Sequence, residues 1–191
     1  MNMEIPLFEG KQICLAPIDH EKDAEIESRW THNAEYLRML SLDLARPLSP
    51  AQLKKKYEEI EKDAEEGNRL FYFTIRMRAD DHLIGFGRLA WIDWSNGLGM
   101  IQLGIGDPSD RGHGYGAEAL RLLLRFAFAE LSLYRLLALI PEYNQLALSF
   151  FKKVGFVEEA RRRQAINRDG RRWDLIHLSL LRPEWEALPI A

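Results

Sequence analysis

The sequence predicts a mixed α/β fold in which a central, mostly antiparallel sheet is flanked by helices. Apolar and polar residues alternate with a period of two over 71–78, as in a β-strand. A glycine-rich loop leads into a long, largely apolar segment over 117–131, which is typical of a deeply packed helix. A strand, a short helix and a hairpin are then predicted over 136–180, with Asp169-Gly170 as a hairpin turn. The order is therefore a meander first and one βαβ-like crossover late.

The first part of the chain predicts a short strand and two helices. The strand spans 13–16 and is followed by a helix capped by Asp19. A second helix begins at the capping box formed by Ser49 and Gln52, with a proline at its first position. Gly67 ends this helix, because glycine readily adopts the conformation that closes a helix C-terminus.

The middle of the chain predicts three antiparallel strands. The alternation over 71–78 predicts a strand with one buried and one solvent-facing side. A second strand over 82–92 follows a turn, and Asp93 to Gly97 form the next turn. The third strand, over 100–106, ends at the glycine-rich loop.

The last part predicts a helix whose polar residues Glu118, Arg121 and Arg125 share one stripe. The remaining predicted elements are a strand over 136–140, a helix over 147–153 ended by glycine, and a hairpin over 157–166 and 173–180. A strand at the sheet edge over 173–180 would let two copies pair across a two-fold axis, which predicts a homodimer.

Length and composition indicate one domain over residues 1–191. The net charge of −3 gives no basic field that would attract nucleic acid. Cys14 is the only cysteine, as expected in a reducing compartment. The N-terminus lacks the pattern of a secretory signal, and no run of 18 apolar residues occurs. We therefore expect a cytoplasmic protein that binds neither nucleic acid nor membrane.

The glycine-rich loop predicts an anion site. Gly112, Gly114 and Gly116 allow a bulky ligand to approach the backbone, and the following helix N-terminus favours a phosphate. A Walker loop is excluded, because the last glycine is followed by Ala-Glu rather than Lys-Ser/Thr. The dinucleotide pattern G-x-G-x-x-G/A fits, but the next acidic residue, Glu142, comes 26 residues after Gly116 instead of about 20.

Two segments resemble the GNAT superfamily of N-acetyltransferases. Residues 111–116 match its R-G-x-G-x-G/A signature, and residues 144–156 resemble its N-x-x-A-x-x-x-Y-x-K-x-G-F segment. The resemblance covers roughly residues 70–182. Residues 30–37, WTHNAEYL, more distantly resemble the ribosomal-protein N-terminal acetyltransferase branch. The resemblance implies a twisted sheet in which two central parallel strands splay apart, with the acyl thioester in the wedge between them.

The resemblance also implies acetyl-CoA as acyl donor, without a metal. The pyrophosphate would be held by backbone amides of Arg111, Gly112, His113, Gly114, Tyr115 and Gly116. The pantetheine arm would pair with the splayed strand at Leu103, Gly104 and Ile105 like an added strand. Asn144 and Phe151 would lie in the cofactor region. No spacing among the histidines indicates a metal site.

The acid–base residues depart from the family pattern. Gln102 stands where a glutamate base is common; it can position a water but cannot accept a proton at neutral pH. Phe151 replaces the tyrosine that often protonates the leaving thiolate. Asp93 is a candidate base, or else a turn residue. Tyr143 is a candidate proton donor, or else a packing residue.

The acceptor implied by the resemblance is a primary amine that attacks the thioester directly in a ternary complex. Trp30 and Glu35 are candidate acceptor-binding residues, although packing and surface exposure are the alternatives. The amine would belong to a protein N-terminus, a polyamine or a small molecule. Gln102 and Phe151 favour a second hypothesis, a catalytically degenerate acyl-CoA-binding regulatory module. A nicotinamide-dinucleotide protein remains a third, through the glycine loop alone.

Overall fold

The computed structural model describes residues 6–67 and 69–188, which form a seven-stranded sheet flanked by helices. The strands are β1 (Ile13–Ala16), β2 (Phe71–Met77), β3 (Leu83–Asp93), β4 (Leu98–Ile105), β5 (Arg135–Pro141), β6 (Val157–Arg168) and β7 (Arg171–Leu181). The helices are α1 (His20–Thr31), α2 (Ala34–Leu40), α3 (Pro50–Gly67), α4 (Tyr115–Arg125), α5 (Gln145–Val154) and α6 (Arg182–Glu186). The strand order is β1-β2-β3-β4-β5-β7-β6, and the predicted mixed α/β class is confirmed.

The pairing of β4 with β5 shapes the centre of the sheet. It is the parallel pair, whereas the other paired neighbours among the named strands run antiparallel. Only three residue pairs join the two strands, and the last of them is Met100 with Leu137. Beyond Met100, β4 pairs with β3 alone among the described strands, and β5 pairs with β7. A wedge therefore opens between residues 101–105 and the distal half of β5.

The helix boundaries follow the predicted capping residues. Asp19 accepts hydrogen bonds from the backbone N–H groups of Glu21 and Lys22, each at 3.1 Å. Ser49 and Gln52 form the reciprocal capping box, with distances of 2.9 and 3.3 Å. These bonds satisfy backbone donors at a helix start that have no partner within the helix.

Strand β2 is buried on both sides, so the prediction of one solvent-facing side is wrong. Arg76, on the side predicted to be polar, is only 6% exposed, and Asp23 of α1 is fully buried. The Nη2 atom of Arg76 donates to Oδ1 of Asp23 at 2.5 Å. Helices α1 and α3 pack on this side of the sheet, and the ion pair lets a charged side chain remain beneath them.

The prediction that residues 173–180 form a strand at the sheet edge is wrong. Strand β7 lies inside the sheet, between β5 and β6, and β6 is the edge strand. Residues 157–165 of β6 are exposed on both faces, whereas Leu175, Ile176 and Leu178 of β7 are buried. The apolar strand pairs with β5 because it can enter the core, and the arginine-rich strand remains outside.

Helix α4 packs against the sheet as expected but begins and ends differently. It starts at Tyr115 and is regular to Arg125, after which a π-helical turn continues over residues 126–130. Within the predicted polar stripe, Arg121 is exposed, but Glu118 is only 7% exposed. The backbone N–H of Gln12 donates to the Glu118 carboxylate at 2.9 Å, so this buried acid ties α4 to the entrance of β1.

Candidate active site

The glycine loop joins the end of β4 to the N-terminus of α4. A single turn of 3-10 helix over residues 108–110 comes first, and Gly112 and Gly114 then adopt left-handed φ angles of +82° and +87°. A Cβ at either glycine would meet no described atom within 4 Å. The glycines are therefore needed for backbone conformation and leave open space in front of the helix N-terminus. Its free N–H groups and positive dipole end suit a phosphate.

Arg111 fastens this loop instead of extending from it. Its Nη2 donates to the carbonyl of Gly106 at 2.6 Å, and its Nε donates to the carbonyl of Ile105 at 3.1 Å. The guanidinium carbon also lies 5.5 Å from the ring centroid of Tyr36. The loop geometry thus leaves anion binding chiefly to backbone amides. His113, predicted for the same site, stacks on Tyr115 with 5.6 Å between ring centroids.

Helix α2 covers one face of the splayed part of β4. A Cβ at Gly104 would lie 2.8 Å from Cδ1 of Leu40 and 3.3 Å from the hydroxyl oxygen of Tyr36, so glycine permits this close packing. The Tyr36 hydroxyl is buried and has no hydrogen-bond partner among the described residues. Burial raises the pKa of Tyr36, which keeps this hydroxyl protonated beside the wedge. Tyr36 was not among the predicted site residues, although it lies in the family-like segment 30–37.

Gln102 is held from both sides. Its Oε1 accepts a hydrogen bond from Nε of Arg88 at 2.7 Å, and its Nε2 donates to the carbonyl of Leu40 at 2.6 Å. Its amide is therefore fixed between β3 and the end of α2. One lone pair and one N–H remain for a water, so water positioning stays a prediction. Arg88 was not predicted as a site residue, although it is the one charged residue within the otherwise apolar segment 83–92.

Residues 38–43, which we call the strap, lie across the candidate site. Tyr143 donates through its hydroxyl to the carbonyl of Arg38 at 2.9 Å, and Asn144 donates through Nδ2 to that of Met39 at 3.0 Å. Arg168 of β6 donates to the carbonyls of Leu42 and Asp43, each at 2.6 Å. Together with the bond from Gln102, five strap carbonyls are hydrogen-bonded. The predicted residues Gln102, Tyr143 and Asn144 thus meet at one segment.

Asp93 belongs to a turn rather than to this cluster. Its carboxylate accepts from the Asn96 side chain at 2.6 Å and from the Ser95 hydroxyl at 2.8 Å. These hydrogen bonds, from Asn96 and then Ser95, lower the pKa of Asp93. Its strand partner is Leu98 at the closed end of β4, on the far side of Met100 from the wedge. The geometry favours the turn interpretation over a general base.

The other predicted side chains are a tryptophan packed against the start of the glycine loop, a surface glutamate and a core phenylalanine. Trp30 is 8% exposed and packs beneath Gly106, and Glu35 is exposed in the first turn of α2. Phe151 is 6% exposed and packs edge-to-face on Phe156 within the core. Phe150, not Phe151, reaches the loop, because a Cβ at Gly116 would lie 4.0 Å from its ring.

A cavity of about 880 Å³ opens beside the candidate site. It lies between the C-terminal end of α3 and the stretch of β3 that continues past the start of β2. Its lining includes the carboxylates of Asp63, Glu66 and Asp93 and the guanidinium groups of Arg69 and Arg88. It does not reach the glycine loop, but Arg88 joins it to Gln102. The cavity is therefore separate from the candidate phosphate site.

Within 6–67 and 69–188, no group of three or more His, Cys, Asp or Glu side chains is arranged to hold a metal ion. No helix in those ranges has the length and apolar character needed to cross a membrane.

Comparison with known proteins identifies the family. Residues 12–157 match the acetyltransferase (GNAT) domain family. The prophage-derived N-acetyltransferase YokL of Bacillus subtilis is 27% identical over 185 residues, covering 96% of this chain and 98% of that protein. The probable N-acetyltransferase YjcK of the same organism is 28% identical, covering 94% and 99%.

A solved structure has the same fold at low identity. The spermidine N-acetyltransferase from Vibrio cholerae, determined in complex with CoA and spermine, superposes with a TM-score of 0.80 and 19% identity, covering 93% of this chain and 99% of that one. The family match decides between the two interpretations of the glycine loop, in favour of acetyl transfer over a dinucleotide fold. The chain belongs to the GNAT acetyltransferase family and is an N-acetyltransferase.

Proposed function

We propose that this enzyme transfers an acetyl group from acetyl-CoA to a primary amine by direct attack in a ternary complex. One observation carries the proposal: the left-handed glycine loop, the N-terminus of α4 and the unpaired side of β4 form one continuous surface. A phosphate site at one end and open strand backbone at the other suit a phosphorylated donor with an amide-containing arm.

In this proposal the chain's backbone holds the donor. Amides of residues 111–116 bind the pyrophosphate, and Leu103 to Ile105 pair with the pantetheine arm. Asn144 also takes part, exchanging its bond to Met39 for one to that arm. Acetyl-CoA supplies the activated acetyl group, and a backbone N–H of β4 stabilises the oxyanion that forms on its carbonyl.

Proton transfer has no carboxylate or tyrosine at the usual family positions. Gln102 orients a water that passes the ammonium proton on to bulk solvent, and Arg88 and the strap hold its amide in place. The protonated Tyr36 hydroxyl is available as a hydrogen-bond donor beside Gly104. Tyr143 donates only after releasing the carbonyl of Arg38.

The acceptor class and the assembly belong to the proposal as well. A putative ribosomal N-acetyltransferase of Bacillus subtilis, YdaF, is 35% identical over 75 residues, which supports a protein N-terminus; it covers 39% of this chain. The fold shared with a spermidine enzyme supports a polyamine. We further propose one domain over 1–191 and a homodimer, with the exposed edge strand β6 as the pairing surface. The free thiol of Cys14 supports a cytoplasmic location.

Calorimetric titration of the protein with acetyl-CoA and, separately, with NADH tests the donor. Binding of acetyl-CoA alone, followed by CoA release with an amine panel, supports the proposal. Acetyl-CoA binding without CoA release from any amine would favour the degenerate regulatory module, for which the replacements Gln102 and Phe151 are the reason. Binding of NADH alone would contradict both.

A further inference from the structure

Arg88 is a half-buried cation that forms no ion pair with a described carboxylate. Its Nε donates to Gln102, but no described residue accepts a hydrogen bond from its two terminal nitrogens. No ion pair within 4.0 Å joins it to a carboxylate in residues 6–67 and 69–188, although the charge of Asp43 in the strap acts on it from farther away. By contrast, the buried Arg76 is paired directly with Asp23. The terminal nitrogens remain accessible at the cavity wall, where their unused N–H groups can donate to a ligand with negative charge.

The position of Arg88 relates this charge to the reaction. Arg88 is directly opposite Gln102 in the register of β3 with β4, one pair beyond the level at which the wedge opens. It also lines the cavity between α3 and β3. An anion bound to its terminal nitrogens would therefore lie a few bonds from an amine positioned near Gln102.

We propose that the acceptor is an amine with a carboxylate close to its amino group, as in an α-amino acid, and that Arg88 binds this carboxylate in the cavity. The inference rests on the proposed function and names its substrate class. Arginine suits the role because its planar fork can bind both carboxylate oxygens.

The same cation assists the chemistry at the amine. Pairing with Arg88 compensates the negative charge of the substrate's own carboxylate, which would otherwise stabilise the ammonium form, and so favours the neutral, nucleophilic amine. The exposed carboxylates of Asp63 and Glu66 on the α3 wall attract the ammonium group as it approaches. A polyamine has no anion for Arg88 and would bring further positive charge towards it.

The test compares acceptors that differ only in the carboxylate. CoA release is measured with the common α-amino acids, their carboxamides, spermidine and a short peptide with a free N-terminus. For the best amino acid, kcat/KM is expected to exceed that of its carboxamide at least about tenfold. Comparable or faster turnover of the carboxamide, spermidine or the peptide would overturn the proposal.

Variants connect the preference to Arg88. We expect Arg88→Gln to lower kcat/KM for the amino acid about 100-fold and to abolish the preference, with the affinity for acetyl-CoA unchanged by calorimetry. Arg88→Lys retains the charge without the planar fork, so its kcat/KM for the amino acid should lie between those of wild type and Arg88→Gln. Arg121→Gln removes an exposed charge from α4 as a matched control and should change neither quantity. A preference that survives Arg88→Gln would overturn the assignment.

Failure of the proposed function can be separated from failure of this inference. If no acceptor is acetylated, acetyl transfer itself is contradicted. Equilibrium binding of the amino acid and its carboxamide to the protein with CoA then decides the inference. Tighter binding of the acid that is lost in Arg88→Gln supports it, and equal affinities overturn it.

Discussion

Gly114 combines two requirements at one residue, a left-handed backbone and open space for a ligand. We expect Gly114→Ala to lower the free energy of unfolding by about 1–2 kcal/mol, because L-residues are strained at φ +87°. It should also weaken acetyl-CoA binding at least about tenfold, since its methyl group occupies the space before α4. Calorimetry and denaturant unfolding measure the two effects.

Gly170 offers a matched control for this strain. It has φ +68° in the β6–β7 turn, away from the glycine loop. Gly170→Ala should lose similar stability but keep its affinity for acetyl-CoA. Equal acetyl-CoA affinities in the two variants would contradict binding of the pyrophosphate at the glycine loop.

Asp93 tests the difference between a turn residue and a base. Asp93→Asn should keep kcat within about threefold, because the carboxylate is bound to Asn96 and Ser95. A loss of about 100-fold, the scale of general-base catalysis, would instead restore the catalytic interpretation.

The stability difference between wild type and Asp93→Asn should depend on pH. The hydrogen bonds from Asn96 and Ser95 lower the folded-state pKa of Asp93, so its contribution to stability is complete above the unfolded-state value. This contribution is lost as the pH falls through the folded-state pKa, below about 4. The Tm of the wild type should therefore be higher than that of Asp93→Asn at pH 7, and the two Tm values should converge in acid. A constant difference at all pH values would contradict this.

Phe151 has the position of the family's proton-donating tyrosine but the environment of a core residue. Phe151 packs on Phe150 and Phe156, so the hydroxyl of Phe151→Tyr would be buried against rings that offer no hydrogen-bond partner. We expect about 1–3 kcal/mol lower stability and no gain in kcat. Phe150→Tyr, at the half-buried neighbour, is the control and should cost less stability. A faster Phe151→Tyr enzyme would show that this side chain does reach the thiolate.

At the scale of elements, Asn144 joins helix α5 to the strap through opposite ends of one amide. Its Oδ1 caps the helix by accepting from the N–H of Ala147 at 3.0 Å, and its Nδ2 binds the strap. Asn144→Asp keeps the cap but loses the donor, whereas Asn144→Ala loses both. Only the alanine variant should lose about 1 kcal/mol of stability from the missing cap.

Both Asn144 variants should loosen the strap. Limited trypsin digestion measures this, because Arg38 lies within the strap and its carbonyl accepts from Tyr143. Cleavage at Arg38 should be faster in both variants than in wild type. Unchanged cleavage would mean that the remaining strap bonds, from Gln102 and Arg168, hold the segment without Asn144.

At the scale of the whole molecule, the wedge leaves the sheet as two parts joined by three residue pairs. A donor bound along β4 would bridge them, so acetyl-CoA at 100 times its Kd should add about 2.7 kcal/mol of stability. For a chain of this size that is a rise in Tm of about 5–10 °C. Hydrogen exchange should slow chiefly at residues 101–105 and 111–116. Uniform slowing across β2 and β7 as well would argue against binding in the wedge.

Local signals predicted most of the fold. Capping residues, the period-two strands and the glycine loop depend on neighbours in sequence, and each was recognised. The order of β6 and β7 depends on which hairpin strand meets β5, a long-range choice. The run of charges over 157–165 was the available signal for an edge strand.

The candidate site was less predictable, because side chains distant in sequence assemble it. Asn144 and Gln102 were selected from family positions, but their shared partner, the strap, has no periodic pattern over 41–43 and depends on bonds spanning 62 to 105 residues of sequence. Arg88 and Tyr36 could not be selected from the sequence, because their interest depends on the folded surroundings: Arg88 forms no ion pair with a described carboxylate, and the buried Tyr36 hydroxyl has no described hydrogen-bond partner.

The continuous surface of glycine loop and wedge has a consequence for turnover. The parts of the donor that it would contact, pyrophosphate and pantetheine, are the same before and after the acetyl group leaves. Free CoA would then be retained about as well as the donor and would compete with it, so product release becomes a candidate for the slowest step. The working rate of such an enzyme follows the ratio of acetyl-CoA to CoA around it more closely than the concentration of either.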